Sequence, residues 1–142
     1  MSTAKRYDQG KVELDYVDSF DVAIDGVGRV SMAGRYKYDL FNYMKGAKSA
    51  RESYNCARRH MKAWYNGEDL VPDYPEEVTA RVGPIHHIDA AIWNLLRLRQ
   101  ELHTFPERDD RPHQVLAHPE RAKLTAPAPL GDENKSPSRG SR

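Results

Sequence analysis

In the stretch AKSARESYNCARRHMKAWYNG (47–67), apolar and small side chains recur at every third or fourth residue. The repeating positions are Ala47, Ala50, Tyr54, Ala57, Met61 and Trp64. This spacing places them on one face of an α-helix, and Gly67 is typical of the residue that ends one. The sequence therefore predicts a helix from about Lys48 to Asn66.

Two further stretches have the same helical spacing. One runs from about Val17 to Tyr36, and the other begins after Pro84 and ends near Thr104. The apolar positions of the first are Phe20, Ala23, Ile24, Val27, Val30 and Ala33. Those of the second are Ile85, Ile88, Ile92, Leu95, Leu96 and Leu102. Gly26 and Gly28 each weaken a helix by about 1 kcal/mol relative to alanine, so we expect close packing at these glycines or a break.

The predicted fold class is all-α, since only Lys11–Tyr16 has even a weak strand-like alternation. We expect a small bundle of three to four helices over residues 1–105, with a modest core that is completed by oligomerisation. Residues 106–142 hold six of the nine prolines and no aromatic residue. Such a composition buries too little apolar surface to offset the entropy of ordering. A mostly disordered tail is therefore predicted, with room for a short helical turn near 118–124.

Charge and composition exclude several classes of protein. Lys+Arg number 22 and Asp+Glu 21, and a net charge of +1 is not the footprint of a protein that binds polymeric nucleic acid. No window approaches the roughly 18 apolar residues of a membrane span, and no apolar core of a signal peptide follows the first basic residues. The single cysteine, Cys56, cannot form an internal disulfide. We expect a cytoplasmic protein with no membrane partner.

Three aspartates, Asp18, Asp21 and Asp25, recur at helical spacing in the first predicted helix. Carboxylates spaced in this way can converge on a divalent cation. The structural alternative is that Asp18 and Asp21 favour the helix N-terminus and that Asp25 pairs with Arg29 one turn later.

The segment GRYKYDLFNYMKG (34–46) links the first two predicted helices. Lys37 and Lys45 could bind phosphates as cations, and Asn42 could contact a base or cap a turn. The alternative is a surface loop with solvated lysines.

Histidines and acids cluster at the ends of the second and third predicted helices. His60 lies at the edge of the apolar face, half-buried and facing a neighbouring helix, and Glu68 and Asp69 follow the helix end, where its dipole disfavours acids. His86 and Asp89 lie one turn apart beside the apolar face of the third helix, whereas His87 and Asn94 point largely away from that face. Such a His–Asp pair can hold a metal ion or a water, or can be a buried hydrogen-bonded pair at a helix start.

Five short motifs occur in an order that resembles one family. They are RYDQGK (6–11), GRYKY (34–38), NYMKG (42–46), RHMKAWYNGED (59–69) and GPIHHIDAA (83–91). Together they resemble the phage and bacterial dATP/dGTP diphosphohydrolase N-terminal domain family, related in style to the all-α MazG-like nucleotide pyrophosphohydrolases. The likeness covers roughly residues 6–104.

The resemblance implies an oligomeric helical bundle that uses Mg²⁺ or Mn²⁺ to cleave a deoxypurine nucleoside triphosphate to the monophosphate and pyrophosphate. The substrate-binding residues that it implies are Lys37, Asn42, Lys45 and Arg59. The catalytic residues are His60, Glu68, His86 and Asp89, and the metal ligands are Glu68, Asp69, Glu77 and Asp89. Two departures from the family pattern stand out. Arg81, Val82 and Gly83 replace a Glu-Ser-Gly run, so Glu76 or Glu77 would supply the missing carboxylate, and Asp89 replaces a second histidine.

Such a site is chemically coherent. Cations neutralise the triphosphate during attack at the α-phosphorus, and a divalent metal lowers the pKa of the attacking water. Trp64, Tyr65 or Trp93 could stack on the base or belong to the core. We predict a metal-dependent pyrophosphohydrolase of phage-type nucleotide metabolism, acting in the host cytoplasm if phage-encoded. The alternatives are a non-enzymatic helical adaptor or inhibitor, and a catalytically silent nucleotide sensor.

Overall fold

The computed structural model describes residues 10–38, 40–45 and 48–125, and this part of the chain is helical. The helices are α1 (Asp15–Asp18), α2 (Asp21–Lys37), α3 (Ala50–Tyr65), α4 (Glu76–Val82), α5 (His87–Thr104) and α6 (Pro112–Ala117). Short 3₁₀ turns occupy Asn42–Lys45, Pro106–Arg108 and Pro119–Thr125. The all-α prediction is confirmed. In the described ranges the only β-type pairing is an isolated bridge between Leu70 and His86, and Lys11–Tyr16 forms no strand.

The first predicted helix is broken near its start. α1 ends at Asp18, and the Ser19 hydroxyl donates a hydrogen bond to the Tyr16 carbonyl oxygen at 2.6 Å. Phe20 has a non-helical backbone, with φ −84° and ψ 61°, before α2 begins. A serine that bonds to its own local backbone competes with helix continuation, so a single helix from Val17 was a wrong prediction.

The second predicted helix is confirmed as α3, and a capping box formed by Ser49 and Glu52 stabilises its first turn. The Glu52 amide donates to the Ser49 hydroxyl at 3.3 Å, and the Ser49 amide donates to a Glu52 carboxylate oxygen at 3.1 Å. This capping box satisfies two of the amides that a helix N-terminus leaves without partners. It also fixes the direction in which the chain enters α3.

Small and polar side chains, rather than large apolar ones, form the contact between α3 and α5. The buried residues of α3 are Ala50, Ser53, Cys56, Ala57 and His60, and those of α5 are His87, Ala90, Ala91, Asn94 and Glu101. His87 and Asn94 are only 4% and 3% exposed, so the prediction that they point away from the packed face was wrong. Small side chains let the two helix backbones approach closely. The face of α5 that carries these small and polar side chains therefore packs against α3, and Leu95 and Leu96 remain about half exposed.

A second cluster holds α2 and α4 against the start of α5. Its buried members are Val30, Ala33, Val71, Val78, Val82, Ile85 and Ala90. Helix α4 lies between α3 and α5, where the spacing of apolar residues predicted no helix. It starts after Pro75, and its valines at positions 78 and 82, one turn apart, face the core.

The large apolar side chains of the described residues lie mostly at the surface. Among the buried apolar residues the largest is Ile85, whereas exposed side chains include Phe20 at 65%, Tyr65 at 82% and Leu96 at 54%. The interior of one chain is therefore built from valine, alanine, isoleucine and the cysteine Cys56. None of the described helices combines the length and apolarity that crossing a bilayer requires.

The segment after α5 departs from the predicted disorder as far as residue 125. Asp109 and Asp110 are 7% and 0% exposed, and a carboxylate oxygen of Asp110 accepts a hydrogen bond from the Arg51 amide at 2.8 Å. The Arg121 guanidinium donates to the Asp109 carbonyl oxygen at 3.1 Å. Polar and charge-assisted bonds to the start of α3 order these residues in place of an apolar core. The rest of the predicted tail, 126–142, lies outside the described residues.

Candidate active site

The end of α3 is shaped so that Glu68 faces the start of α5. Gly67 adopts φ +97°, a left-handed conformation that glycine enters without strain. The Glu68 amide donates to the Ala63 carbonyl oxygen at 3.0 Å, and the Gly67 amide donates to the Trp64 carbonyl oxygen at 2.9 Å. This is a Schellman motif, so the predicted stop at Gly67 is confirmed. The turn also aligns the next residues, because the His87 amide donates to the Asp69 carbonyl oxygen at 2.9 Å.

Three side chains form a hydrogen-bonded chain between α3 and α5. His87 Nε2 lies 2.6 Å from Glu68 Oε1, and His87 Nδ1 lies 2.9 Å from His60 Nδ1. His60 is 2% exposed and the Glu68 side chain is 50% exposed. The arrangement leads from the buried interface to solvent. His60 thus faces a neighbouring helix as predicted, although it is fully buried rather than half-buried.

The chemistry of these atoms fixes where the hydrogens lie. An ionised Glu68 can only accept, so His87 Nε2 carries the hydrogen and donates it. A neutral His87 then has a bare Nδ1, which accepts from His60 Nδ1–H. If His87 takes up a second proton, it donates to both neighbours. His60 therefore orients His87, and His87 orients the Glu68 carboxylate, an arrangement also found where histidines assist proton transfer.

His86 and Asp89 have other contacts. His86 Nδ1 accepts a hydrogen bond from the Ile88 amide at 3.1 Å and so caps the N-terminus of α5. Asp89 lies against α2 at Gly26, where a Cβ would overlap the Asp89 carboxylate. Burial raises the pKa of Asp89, while His86 and Arg29 act in the opposite direction. The expected close packing at Gly26 is confirmed, whereas Gly28 has open space around it.

A cavity of about 410 Å³ opens between α2, the turn that follows it, and the middle of α5. Its cationic lining residues are Arg35, Lys37, Lys48 and Arg97. Its aromatic lining residues are Tyr38, Phe41, Tyr43, Tyr74 and Trp93. Among the lining residues that the structure describes there is no carboxylate. Charge and rings together suit an anionic ligand that carries an aromatic group.

The electrostatics of the cavity follow from burial. Burial lowers the pKa of Lys48, and the neighbouring Arg97 lowers it further. Burial raises the pKa of Tyr74 to about 12, so its hydroxyl stays protonated and can donate. Lys37 Nζ lies 4.5 Å from the centre of the Tyr74 ring, a cation–π contact. An anion bound in the cavity would stabilise the charged form of Lys48, which burial disfavours.

Two rings make a rigid wall on one side of this cavity. Tyr43 and Trp93 meet edge to face, with centroids 5.4 Å apart and planes at 83°. This geometry is a preferred one for aromatic pairs. Because Trp93 belongs to α5 and Tyr43 to the 3₁₀ turn at Asn42–Lys45, the contact fastens that turn to the helix.

The predicted substrate-binding residues divide into two groups. Lys37 and Asn42 line the cavity. Lys45 is exposed and absent from its lining, and Arg59 lies instead in a shallow groove on the outer face of α3. The predicted role of each in binding stays a prediction.

The predicted metal ligands are spread over three places. Glu68 is bonded to His87, and the exposed Asp69 follows it in the chain. Asp89 lies against α2, and Glu77 is exposed in the first turn of α4. Within the described ranges, no three His, Cys, Asp or Glu side chains are grouped so that they could hold a metal ion. These donors therefore do not fit a single magnesium site within one chain, and their metal-binding role stays a prediction.

Sequence reasoning missed His87, Lys48, Arg97, Tyr43 and Tyr74. For His87 a signal was available, since His87, Ala90, Ala91 and Asn94 recur at helical spacing as small or polar residues. Such a stripe marks a face for close helix packing. Lys48 and Tyr74 had no comparable signal, because both lie outside the long helices and reach the cavity only through the fold.

The fold is all-α, and its cavity is lined by cationic and aromatic residues. The model of the family "dATP/dGTP diphosphohydrolase, N-terminal" matches residues 1–111. The chain therefore belongs to the dATP/dGTP diphosphohydrolase N-terminal domain family, as the motif order predicted. No curated protein and no solved structure matches the chain.

Proposed function

We propose that the protein hydrolyses a deoxypurine nucleoside triphosphate, dATP or dGTP, to the monophosphate and pyrophosphate. The observation that carries the proposal is the cavity, in which four cationic residues and five aromatic rings converge in a member of this family. The proposed setting is phage-type nucleotide metabolism.

In this proposal the cavity binds and orients the substrate. Lys48 offsets part of the charge of the polyphosphate, which carries several negative charges. It lies beside Arg97, whose guanidinium is paired with the Glu101 carboxylate at 2.9 Å. The edge-to-face pair of Tyr43 and Trp93 gives the base an apolar wall, with Tyr74 on the side of Lys37. A buried lysine makes a stronger contact with phosphate than a solvated one, because little water screens it.

The Glu68–His87–His60 chain handles the proton. Water attacks the α-phosphorus, the bond from that phosphorus to the bridging oxygen breaks, and pyrophosphate leaves with the electron pair. The proton that the water loses passes to Glu68, whose side chain is half exposed and has one carboxylate oxygen held by His87. Glu68 is then neutral, and His87 Nε2–H still donates to that oxygen while His60 holds His87 in place through Nδ1. A requirement for Mg²⁺ or Mn²⁺ is expected from the family, and no step above depends on it.

The test is phosphorus NMR of the purified chain with each of the four deoxynucleoside triphosphates, first with Mg²⁺, then with Mn²⁺, then with a chelator. We expect pyrophosphate and a monophosphate, formed from the purine substrates preferentially. Release of orthophosphate would replace the proposed attack at the α-phosphorus with a different phosphohydrolase reaction.

Two variants make the assay specific to the cavity. Lys48→Met should lose turnover, whereas Lys123→Met, which removes an exposed lysine from the last 3₁₀ turn, should keep it. Absence of turnover in the unaltered protein would contradict the proposal. Thermal stabilisation by the same nucleotides would then favour the silent sensor, and its absence the adaptor.

A further inference from the structure

Among the described residues other than glycine, Phe41 alone has a left-handed backbone. Its φ is +54°, a conformation that a residue with a bulky side chain adopts only at a cost in free energy. Glycine and asparagine adopt it more easily, and an asparagine, Asn42, follows directly in the chain. The position is nevertheless occupied by an aromatic residue. Backbone conformations of this kind persist where the surrounding structure supports them, and they are concentrated at ligand-binding sites.

The turn that follows α2 supports Phe41 through both its backbone and its ring. The Met44 amide donates a hydrogen bond to the Phe41 carbonyl oxygen at 3.0 Å. The Phe41 and Tyr43 rings meet with centroids 6.5 Å apart and planes at 70°. Tyr43 in turn contacts Trp93 of α5. Phe41 is therefore the most exposed member of a series of three rings that begins on α5.

The Phe41 side chain is available to a ligand. Phe41 lines the cavity, yet the residue is 60% exposed. An aromatic side chain in contact with water gains apolar contact when another group covers it. In a nucleotide, the base offers flat faces that stack on aromatic side chains, whereas the polyphosphate is charged and hydrated. The exposed ring thus suits the base and not the phosphates.

We propose that Phe41 packs against the base of the bound nucleotide and is the residue that makes the cavity prefer purines to pyrimidines. The inference rests on the proposed function for the identity of the ligand. A purine has two fused rings and offers the Phe41 side chain more apolar area than a pyrimidine does. The phosphates are the same in all deoxynucleoside triphosphates, so the cationic residues of the cavity cannot supply this preference.

The conformation of Phe41 contributes to this role. The bond from Met44 and the contact with Tyr43 hold the ring near one position before a ligand binds. A side chain that is already ordered loses less entropy on binding. The free energy that the left-handed backbone costs is then the cost of presenting a ring at this point of the cavity.

An alternative role for Phe41 is to hold the turn in place through Tyr43. In that case, loss of the ring would displace the whole turn and weaken the binding of every ligand alike. A ligand without a base, and ligands with bases of different size, therefore distinguish the two roles.

The experiment measures binding by titration calorimetry in the presence of Mg²⁺. The probes are inorganic tripolyphosphate and the α,β-methylene analogues of dATP, dGTP and dCTP, in which the bond from the α-phosphorus cannot be hydrolysed. We expect the unaltered protein to bind the purine analogues more tightly than the dCTP analogue. Phe41→Ala should weaken binding of the tighter purine analogue about tenfold. It should affect the dCTP analogue less and leave the binding of tripolyphosphate as it is in the unaltered protein.

Three further variants act as controls. Phe41→Tyr keeps the ring and should keep the purine preference. Met44→Ala removes an apolar side chain that is 59% exposed in the same turn but absent from the cavity lining, and it should bind every probe as the unaltered protein does. Phe41→Gly removes the ring and relieves the backbone. It should therefore unfold at a higher urea concentration than Phe41→Ala while it binds purines as weakly.

The results separate the role of Phe41 from the proposed reaction. The role is overturned if the unaltered protein binds no probe or has no purine preference, if Phe41→Ala keeps that preference, or if the variant weakens all probes equally. Continued turnover of dATP or dGTP by the unaltered protein would then leave the proposed function in place. Purine-selective binding that Phe41→Ala loses, in a protein without turnover, would support the role of Phe41 and contradict the proposed hydrolysis.

Discussion

Arg108 Nε donates a hydrogen bond to the carbonyl oxygen of Lys48 at 2.7 Å, across 60 residues of sequence. The same stretch is held a second time, by the bond from the Arg51 amide to Asp110. The segment after α5 thereby fixes the backbone of Lys48, a residue that lines the cavity. A part of the chain that the composition assigns to a disordered tail thus positions a residue of the candidate active site.

Arg108→Met tests this positioning. The substitution keeps an apolar stem but removes the donor to Lys48, and a lost charge-assisted bond costs roughly 1.5–3 kcal/mol. We expect a lower melting temperature together with weaker nucleotide binding. Arg99→Met, at an exposed position on α5, is the matched control and should change neither. Unchanged binding in Arg108→Met would separate the segment from the cavity.

We expect Lys48 to make nucleotide binding weaken at a lower alkaline pH than an ordinary lysine would. Burial lowers its pKa below the usual 10.5, so as the pH rises Lys48 loses its charge before an ordinary lysine would, and the attraction for phosphate falls with it. Titration calorimetry over a pH series should record weaker binding in this range. Lys48→Arg stays charged and should lose this limb of the profile, whereas Lys48→Met should bind at least about tenfold more weakly at neutral pH. An identical alkaline limb in Lys48→Arg would exclude Lys48 as its origin.

Gly26 and Gly28 provide an internal comparison on one helix. Gly28→Ala should raise the free energy of unfolding by about 0.5–1 kcal/mol, because a Cβ there meets open space and alanine favours a helix. Gly26→Ala should lower it by about 1–3 kcal/mol, because the Cβ overlaps Asp89 and must displace it. Urea denaturation of both variants measures the difference. Equal stabilisation by the two substitutions would mean that Asp89 does not pack against α2.

The three histidines should differ in their contribution to stability. His60→Ala and His87→Ala each leave a buried partner without its hydrogen bond, at a cost of roughly 1–3 kcal/mol plus the cavity that is left. His86→Ala removes only a side-chain cap, worth about 1 kcal/mol. In the assay, loss of turnover should follow His60 and His87 more closely than His86. The opposite order would return the catalytic role to His86, as the family resemblance implies.

The family resemblance makes Asp89 a metal ligand, whereas the structure packs it against α2 at Gly26. Loss of metal-dependent hydrolysis in Asp89→Asn, with unchanged helix content, would support the role as a ligand, since the amide has nearly the same shape without the charge. Circular dichroism and the phosphorus NMR assay, applied to the same sample, measure the two properties. Full activity would remove Asp89 from the site.

How far the sequence predicts this molecule depends on the range of the interactions involved. The spacing of apolar residues locates α3 and α5, and Gly67 marks the end of α3, because helix periodicity and caps are local properties. The same spacing is misleading about which face is packed, since Leu95 and Leu96 stay exposed while His87 and Asn94 are buried. Close contact between two helix backbones needs small residues on both, and one helix alone does not reveal its partner.

Some residues of the candidate site could be predicted from local sequence, and others depend on long-range contacts. His60 and Glu68 could be predicted because they lie at a helix edge and a helix end. Their connection through His87 required the crossing of α3 and α5, and the place of Lys48 in the cavity required the bond from Arg108.

The helix α5 carries both His87 and the cavity residues Trp93, Asn94 and Arg97, whereas Asn42 and Tyr43 line the same cavity from the turn after α2. Two turns of rigid helix, about 10 Å, separate His87 from Asn94. An insertion in α5 would rotate one group against the other by about 100° per residue. An insertion in the turn would leave the proton-carrying residues in place. Divergence in ligand preference among relatives is therefore expected in the length and composition of this turn, with the spacing along α5 preserved.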